Sequence, residues 1–281
     1  VTEKRSVAIG GNSVREHFHP ADDFRPMLDE VEGPETCNSY NMLKLTALLE
    51  HEQPEPSADK GKYADFYERT LYNHILASQH PGEGGFVYFT PMRPQHYRVY
   101  SQVDQGMWCC VGSGIESHAR HGEFIYSHDD DSLYVNLFIA STLDWRERGI
   151  RLTQSTRFPD ESRTRLTVND AGEFALKIRY PGWVAPGALK VRLNGKPVQV
   201  TARPGGHVEL RRAWKAGDQV DVELPMRTTL EPMPGLKNYV AVLHGADVIS
   251  VELFELGPRV GLDCHFTDPF CRSRSPRRHE P

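Results

Sequence analysis

The hydrophobic spacing of this chain changes once, at His128-Asp129-Asp130-Asp131, and that change limits the folds open to it. Upstream, Met42, Leu45, Leu48 and Leu49 recur at three- and four-residue intervals before Pro54 and Pro56, which predicts a helix from Glu35. Tyr63, Phe66, Tyr67, Leu71 and Ile75 predict a second from about Asp59 to Ser78, closed by His80-Pro81-Gly82, and a third spans about Ser113 to Tyr126. Downstream the period becomes two. Leu133 to Ile139, Arg165 to Val168, Phe174 to Ile178, Lys190 to Leu193, Val208 to Leu210 and Val220 to Leu224 are strand-like, with turn signals at Asn169-Asp170 and Asn194-Gly195. Strands at this spacing without intervening helices suggest a β-sandwich. The expectation is an α+β multidomain chain: helical over 1–127, a β-sandwich over 128–228, and a truncated second β unit with an irregular tail over 229–281.

Bulk properties exclude some functions. The chain has 33 Lys and Arg against 38 Asp and Glu, with no long basic run interleaved with aromatics before its final residues, so no nucleic-acid partner is expected. No apolar run approaches membrane-spanning length, so no membrane partner is expected either. Residues 1–34, rich in Gly, His and acids, read as a loop, and Gly85 to Phe89 as a short strand. The chain begins with Val and its first motif with Gly10, which suggests a fragment whose N-terminal part is missing. Five unevenly placed cysteines make no disulfide framework and suit a reducing, cytoplasmic compartment.

The chemistry centres on Gly106 to Gly114, GMWCCVGSG. Adjacent thiols rarely close on each other, because the eight-membered ring strains peptide and disulfide torsions alike. Cys109 and Cys110 are two sulfurs offered to one metal or substrate, or else two small apolar residues in a buried turn. The small residues Gly112-Ser113-Gly114 suggest that the pair lies on a turn before the third helix. In Glu35-Thr36-Cys37, extended backbone would aim the carboxylate and the sulfur at one point. Together these make a Cys₃Glu set suited to tetrahedral zinc. Cys264 and Cys271 read as incidental thiols of the tail, and His17, His19, His118 and His121 as packing or solvated residues. Trp108 either stacks on a bound ligand or packs, and Asp129 to Asp131 lacks the alternating spacing of a calcium loop and reads as a solvated turn.

The ordered set Gly10-Gly11-x-Ser13-x-x-Glu16-x-Phe18, Glu35-Thr36-Cys37, Phe86-x-Tyr88-x-x-Pro91 and Trp108-Cys109-Cys110 resembles the β-L-arabinofuranosidases of glycoside hydrolase family 127. Leu71 to Leu76 and Leu133 to Phe138 resemble that family too, and the likeness covers about residues 8 to 243. It implies the C-terminal part of an (α/α)₆ helical barrel followed by β-sandwich. It also implies a retaining glycoside hydrolase that releases L-arabinofuranose-type residues from a carbohydrate substrate through a zinc-bound cysteine. By position, Cys109 would be the nucleophile, with Glu35, Cys37 and Cys110 as fellow zinc ligands, Glu16 the general acid/base and Tyr88 a sugar contact. The residues allow that chemistry. A thiol titrating near ~8.5 is deprotonated by zinc, and a retaining displacement needs a nucleophile and a proton donor, a part open to Glu16 if burial keeps its acid form. The alternative is a non-catalytic carbohydrate-binding or structural fragment with a structural zinc. A thiol-redox role is disfavoured because no Cys-x-x-Cys is present.

Overall fold

Helices come first in the chain and sheets follow, in a computed structural model that describes residues 1–52, 60–93 and 96–250. The helices are α1 (Arg25–Asp29), α2 (Thr36–His51), α3 (Lys60–Thr70) and α4 (Cys109–Ala119). Pro26, in the first turn of α1, starts a helix inside a segment that reads as loop, because its fixed φ suits that position. α2 begins at Thr36, as its spacing predicts, but buries a different stripe. Tyr40 and Leu43 enter a core with Tyr67, Leu71, Ile75 and Phe124, while Leu45, Leu48 and Leu49 are exposed. The helix carries apolar residues on two faces, and local spacing cannot tell which one meets the core.

α3 runs on into a π-helical turn, Leu71–Ile75, and a 3₁₀ turn, Leu76–Ser78. Asn73 makes use of that turn: its amide donates to Arg69 O at 2.7 Å and to Ala246 O at 2.9 Å, and its oxygen accepts from Val248 N at 2.7 Å. The helical layer is thereby stitched to the last sheet.

The strands are β1 (Tyr126–His128), β2 (Ser132–Val135), β3 (Ser141–Trp145), β4 (Ile150–Thr156), β5 (Arg163–Val168), β6 (Gly172–Arg179) and β7 (Lys190–Leu193). After them come β8 (Lys196–Val198), β9 (His207–Trp214), β10 (Gln219–Glu223), β11 (Thr228–Met233), β12 (Leu236–His244) and β13 (Asp247–Ser250). Four form one sheet in the order β1-β2-β6-β9, and six another in the order β3-β4-β5-β10-β7-β8. One shared core, including Leu133, Leu152, Leu166, Phe174, Leu176, Val208, Val220 and Val222, joins the two as a sandwich. Alternation in β5 and β10 puts Leu166 opposite Val220 on the inner face. Asn194 and Gly195, both at positive φ, make the tight turn between β7 and β8. β11, β12 and β13 form a third sheet.

Several expected elements differ. The apolar run Leu133 to Ile139 is a strand only to Val135, because Leu137 then packs in the helical core and Phe138 in the sandwich core. Apolarity broken only by Asn136 marks a crossing between two cores here. Gly85 to Phe89 forms only isolated bridges, Phe86 to Gln79, Val87 to Tyr100 and Phe89 to Glu35. The third helix starts at Cys109, earlier than expected, and a 3₁₀ turn, His121–Phe124, follows it. Short or polar strands β3, β4, β8 and β11 escape the periodicity, and β13 lies past His244, where the pattern fades. Pro54, Pro56, Cys264, Cys271 and the tail from residue 251 lie outside the described residues.

Candidate metal centre

Two helix N-termini meet at one point. Glu35 caps α2 in extended backbone, φ −80° and ψ 134°, and Cys37 is the second residue of that helix. Trp108 caps α4, also extended, and Cys109 and Cys110 are its first two residues. The cysteine pair is therefore inside the helix rather than on a turn before it, and of Glu35 to Cys37 only the glutamate is extended. First-turn positions suit sulfur anions, since the free amides and the helix dipole favour negative charge there. α4 then packs closely by way of Gly114, where a Cβ would fall 2.4 Å from the Phe86 ring.

Glu35, Cys37, Cys109 and Cys110 each present one ligand atom, all within 4.8 Å of one another. Cys109 Sγ and Cys110 Sγ are 3.9 Å apart, and each is 3.8 Å from Glu35 Oε1. Three sulfurs and a carboxylate fit a metal ion in number and in chemistry. Tetrahedral zinc with Zn–S near 2.3 Å would separate its sulfurs by about 3.8 Å. The three cysteines are free thiols, Cys110 buried and Cys109 exposed.

The protein groups alone set the donors apart. Burial, then the Cys37 sulfur, pushes the Glu35 carboxyl up to about 7. A hydrogen bond from Cys110 is the main cause that lowers Cys37 to about 6, against its burial. Its partner Cys110 is pushed up by that same bond and by burial, and Cys109 is raised chiefly by burial. Four groups that are negative when deprotonated thus crowd one point and oppose one another's ionisation, a situation a divalent cation would relieve.

Outer contacts hold the donors. Glu35 N donates to Ser13 Oγ at 3.1 Å, and Ser113 Oγ lies 3.0 Å from Cys37 Sγ. The segment Phe86 to Thr90 crosses the start of α2: Thr36 N donates to Tyr88 O at 3.0 Å and Thr36 Oγ1 to Val87 O at 2.8 Å. Tyr88 is fixed there and its hydroxyl donates to Glu16, while the nearby Cys109, then Glu16, push the phenol's pKa up. Glu16 is exposed, so the burial on which its acid form depends is not met within this chain; Arg15 and Glu16 take left-handed backbone in a turn closed by Val14 and His17. Trp108 stands 6.0 Å from Tyr88, ring to ring. His19 is spent on the carbonyls of Arg5 and Pro20, and His118 on that of Gly114. Asp129 Oδ1 accepts from the amides of Asp131 and Ser132, a turn as expected. The link from Ser113 to Cys37 carries no sequence signal, since it spans 76 positions.

Comparison with known proteins agrees with this architecture. Residues 1–123 match the model of the β-L-arabinofuranosidase GH127 catalytic domain, and residues 132–226 that of the GH127 middle domain. The chain belongs to glycoside hydrolase family 127. Among solved structures it is similar to Ara127N, a GH127 β-L-arabinofuranosidase from Geobacillus stearothermophilus T6, at 27% identity and TM-score 0.71, over 87% of this chain and 40% of that one. A protein described as a glycoside hydrolase aligns at 24% identity and TM-score 0.70, over 88% of this chain and 45% of its own. A GH127 β-arabinofuranosidase aligns at 24% identity and TM-score 0.74, over 87% and 41%. The chain thus spans less than half the length of each of these structures. A search of curated protein sequences gave no match. Among the described residues no helix is long and apolar enough to cross a membrane.

Proposed function

We propose that this chain carries the nucleophile side of a retaining glycosidase site that releases L-arabinofuranose-type residues. The observation that carries the proposal is the meeting of Glu35, Cys37, Cys109 and Cys110 within 4.8 Å, beside a Tyr88 whose hydroxyl donates to Glu16. Family membership supports it. On this reading α2, α3 and α4 are the C-terminal part of an (α/α)₆ barrel. Residues 1–127, 128–228 and 229–281 are then partial catalytic domain, β-sandwich, and second β unit with tail. Three free thiols suit a reducing compartment such as the cytoplasm.

Glu35, Cys37, Cys109 and Cys110 would hold the zinc, which when bound keeps the thiols deprotonated at neutral pH. Cys109, the exposed sulfur, attacks the anomeric carbon, and the glycosidic C–O bond breaks. With substrate seated over it and water excluded, Glu16 would be held in its acid form and would give its proton to the leaving oxygen. It then takes a proton from the water that attacks the same carbon, and the Cys109 sulfur leaves. Tyr88, hydrogen-bonded to the acid, orients it and contacts the sugar.

Intact-protein mass spectrometry with a dinitrophenyl L-arabinofuranoside tests the proposal. The expected result is a pentosyl adduct on Cys109 that the Cys109→Ser variant does not form. Absence of both adduct and turnover in the wild-type chain would overturn the catalytic reading in favour of a carbohydrate-binding or structural role.

A further inference from the structure

The three sulfurs of the cluster are identical in type and unlike in surroundings. Cys110 is buried, Cys109 is exposed, and Cys37 is half-buried with a hydroxyl held against it. At 3.0 Å, Ser113 Oγ to Cys37 Sγ is shorter than the 3.8 to 3.9 Å contacts within the cluster. Ser113 follows Cys110 by three residues on α4, so its side chain leans back toward the helix start and across to α2. Its oxygen is also 3.4 Å from Cys110 O. A hydroxyl has one proton for these two acceptors. A Cys37 thiol can donate to Ser113, whose proton then falls to Cys110 O. A metal-bound thiolate has no proton to give, and Ser113 must turn its own toward the sulfur.

We propose that Ser113 is a positioning residue of the metal centre, an inference that rests on the zinc reading above. Its hydroxyl fixes the side-chain orientation of Cys37 and draws electron density from that sulfur. Cys37 then stays a spectator ligand, and the exposed Cys109 is the sulfur left to react. Hydrogen bonds to a ligand atom from outside the coordination set act on metal affinity in this way.

The test compares the 281-residue chain with Ser113→Ala and Ser113→Thr. Alanine is the better helix former and threonine keeps the hydroxyl. Zinc affinity is measured by chelator competition, sulfur-to-metal charge transfer by cobalt(II) absorption, and sulfur reactivity by peptide mapping after iodoacetamide treatment of the zinc-loaded protein. Ser113→Ala is expected to weaken zinc binding by about 10- to 100-fold, to shift the cobalt band, and to spread alkylation from Cys109 to Cys37. Ser113→Thr is expected to restore all three. Unchanged affinity and spectrum in Ser113→Ala would overturn the inference, as would a loss that threonine does not repair. Wild-type protein that takes up neither metal would overturn the zinc reading and this inference with it.

Discussion

Arg179, on β6, donates to Glu68, on α3, and neither side chain is exposed beyond 1%. The same guanidinium donates to Asp65 at 2.5 Å and to Asn136 O at 2.6 Å, and Trp183 Nε1 donates to Glu68 at 2.8 Å. This buried group clasps the helices to the sandwich. Burial pushes the Glu68 carboxyl up against the pull of Arg179, so the clasp specifies how the two layers dock more than it adds net stability.

Removal of one partner of this clasp leaves the other buried and unpaired. Arg179→Met is expected to cost about 3–5 kcal/mol in denaturant unfolding near neutral pH. Glu68 then gains a further raised pKa, so the folded state binds more protons than the unfolded one, and stability falls as pH rises. The variant should accordingly recover part of its loss between pH 8 and pH 5. A loss independent of pH would mean that Glu68 is not the group left stranded.

His74, in the π-helical turn, should make the protein sensitive to acid. Burial, then the charge of Arg98, lowers its pKa from 6.5 to about 3, and among the described residues neither ring nitrogen has a hydrogen-bond partner. Between those values the unfolded chain holds the proton that the folded one refuses, so stability present above 6.5 is lost as pH falls, by up to about 1.4 kcal/mol per pH unit. His74→Phe removes that contribution. Its stability relative to wild type, by thermal or urea unfolding, should improve steadily from pH 7 to pH 5, and parallel profiles would contradict the assignment.

Zinc content reports on the ligand set. Cys37→Ser should lower bound zinc far below the one ion per molecule expected of wild type, because the site forms only with its full complement of donors. Elemental analysis after gel filtration measures it. Unchanged content would remove Cys37 from the set.

Glu16→Gln and Cys109→Ser should fail at different points. On the proposed mechanism, Glu16→Gln should still be glycosylated by a substrate with a good leaving group, which needs little protonation. Deglycosylation should slow by roughly 10²–10⁴-fold. A pentosyl adduct should then accumulate on Cys109 and be visible by intact mass. Wild-type turnover in Glu16→Gln would assign the proton transfer elsewhere.

The kinds of element and the chemistry of the donors were written locally. Three- and four-residue spacing around α2 and α3, alternation in β5 and β10, and the Asn194-Gly195 turn follow from backbone geometry within a few residues, which is why they can be read off the chain. Glu35, Cys37, Cys109 and Cys110 could be read as a candidate metal set from residue type and spacing. Packing decided the remainder. It chose Tyr40 and Leu43 over Leu45 and Leu48 as the buried face of α2, and it split Leu137 and Phe138 between two cores. It put the cysteine pair in the first turn of α4 and set Glu16 in the open against Tyr88. Ser113 on Cys37 joins residues 76 positions apart, and Arg179 on Glu68 joins residues 111 apart. Such pairs leave no periodic trace, because which side chains meet across two elements depends on how whole faces fit together, a property no local stretch carries.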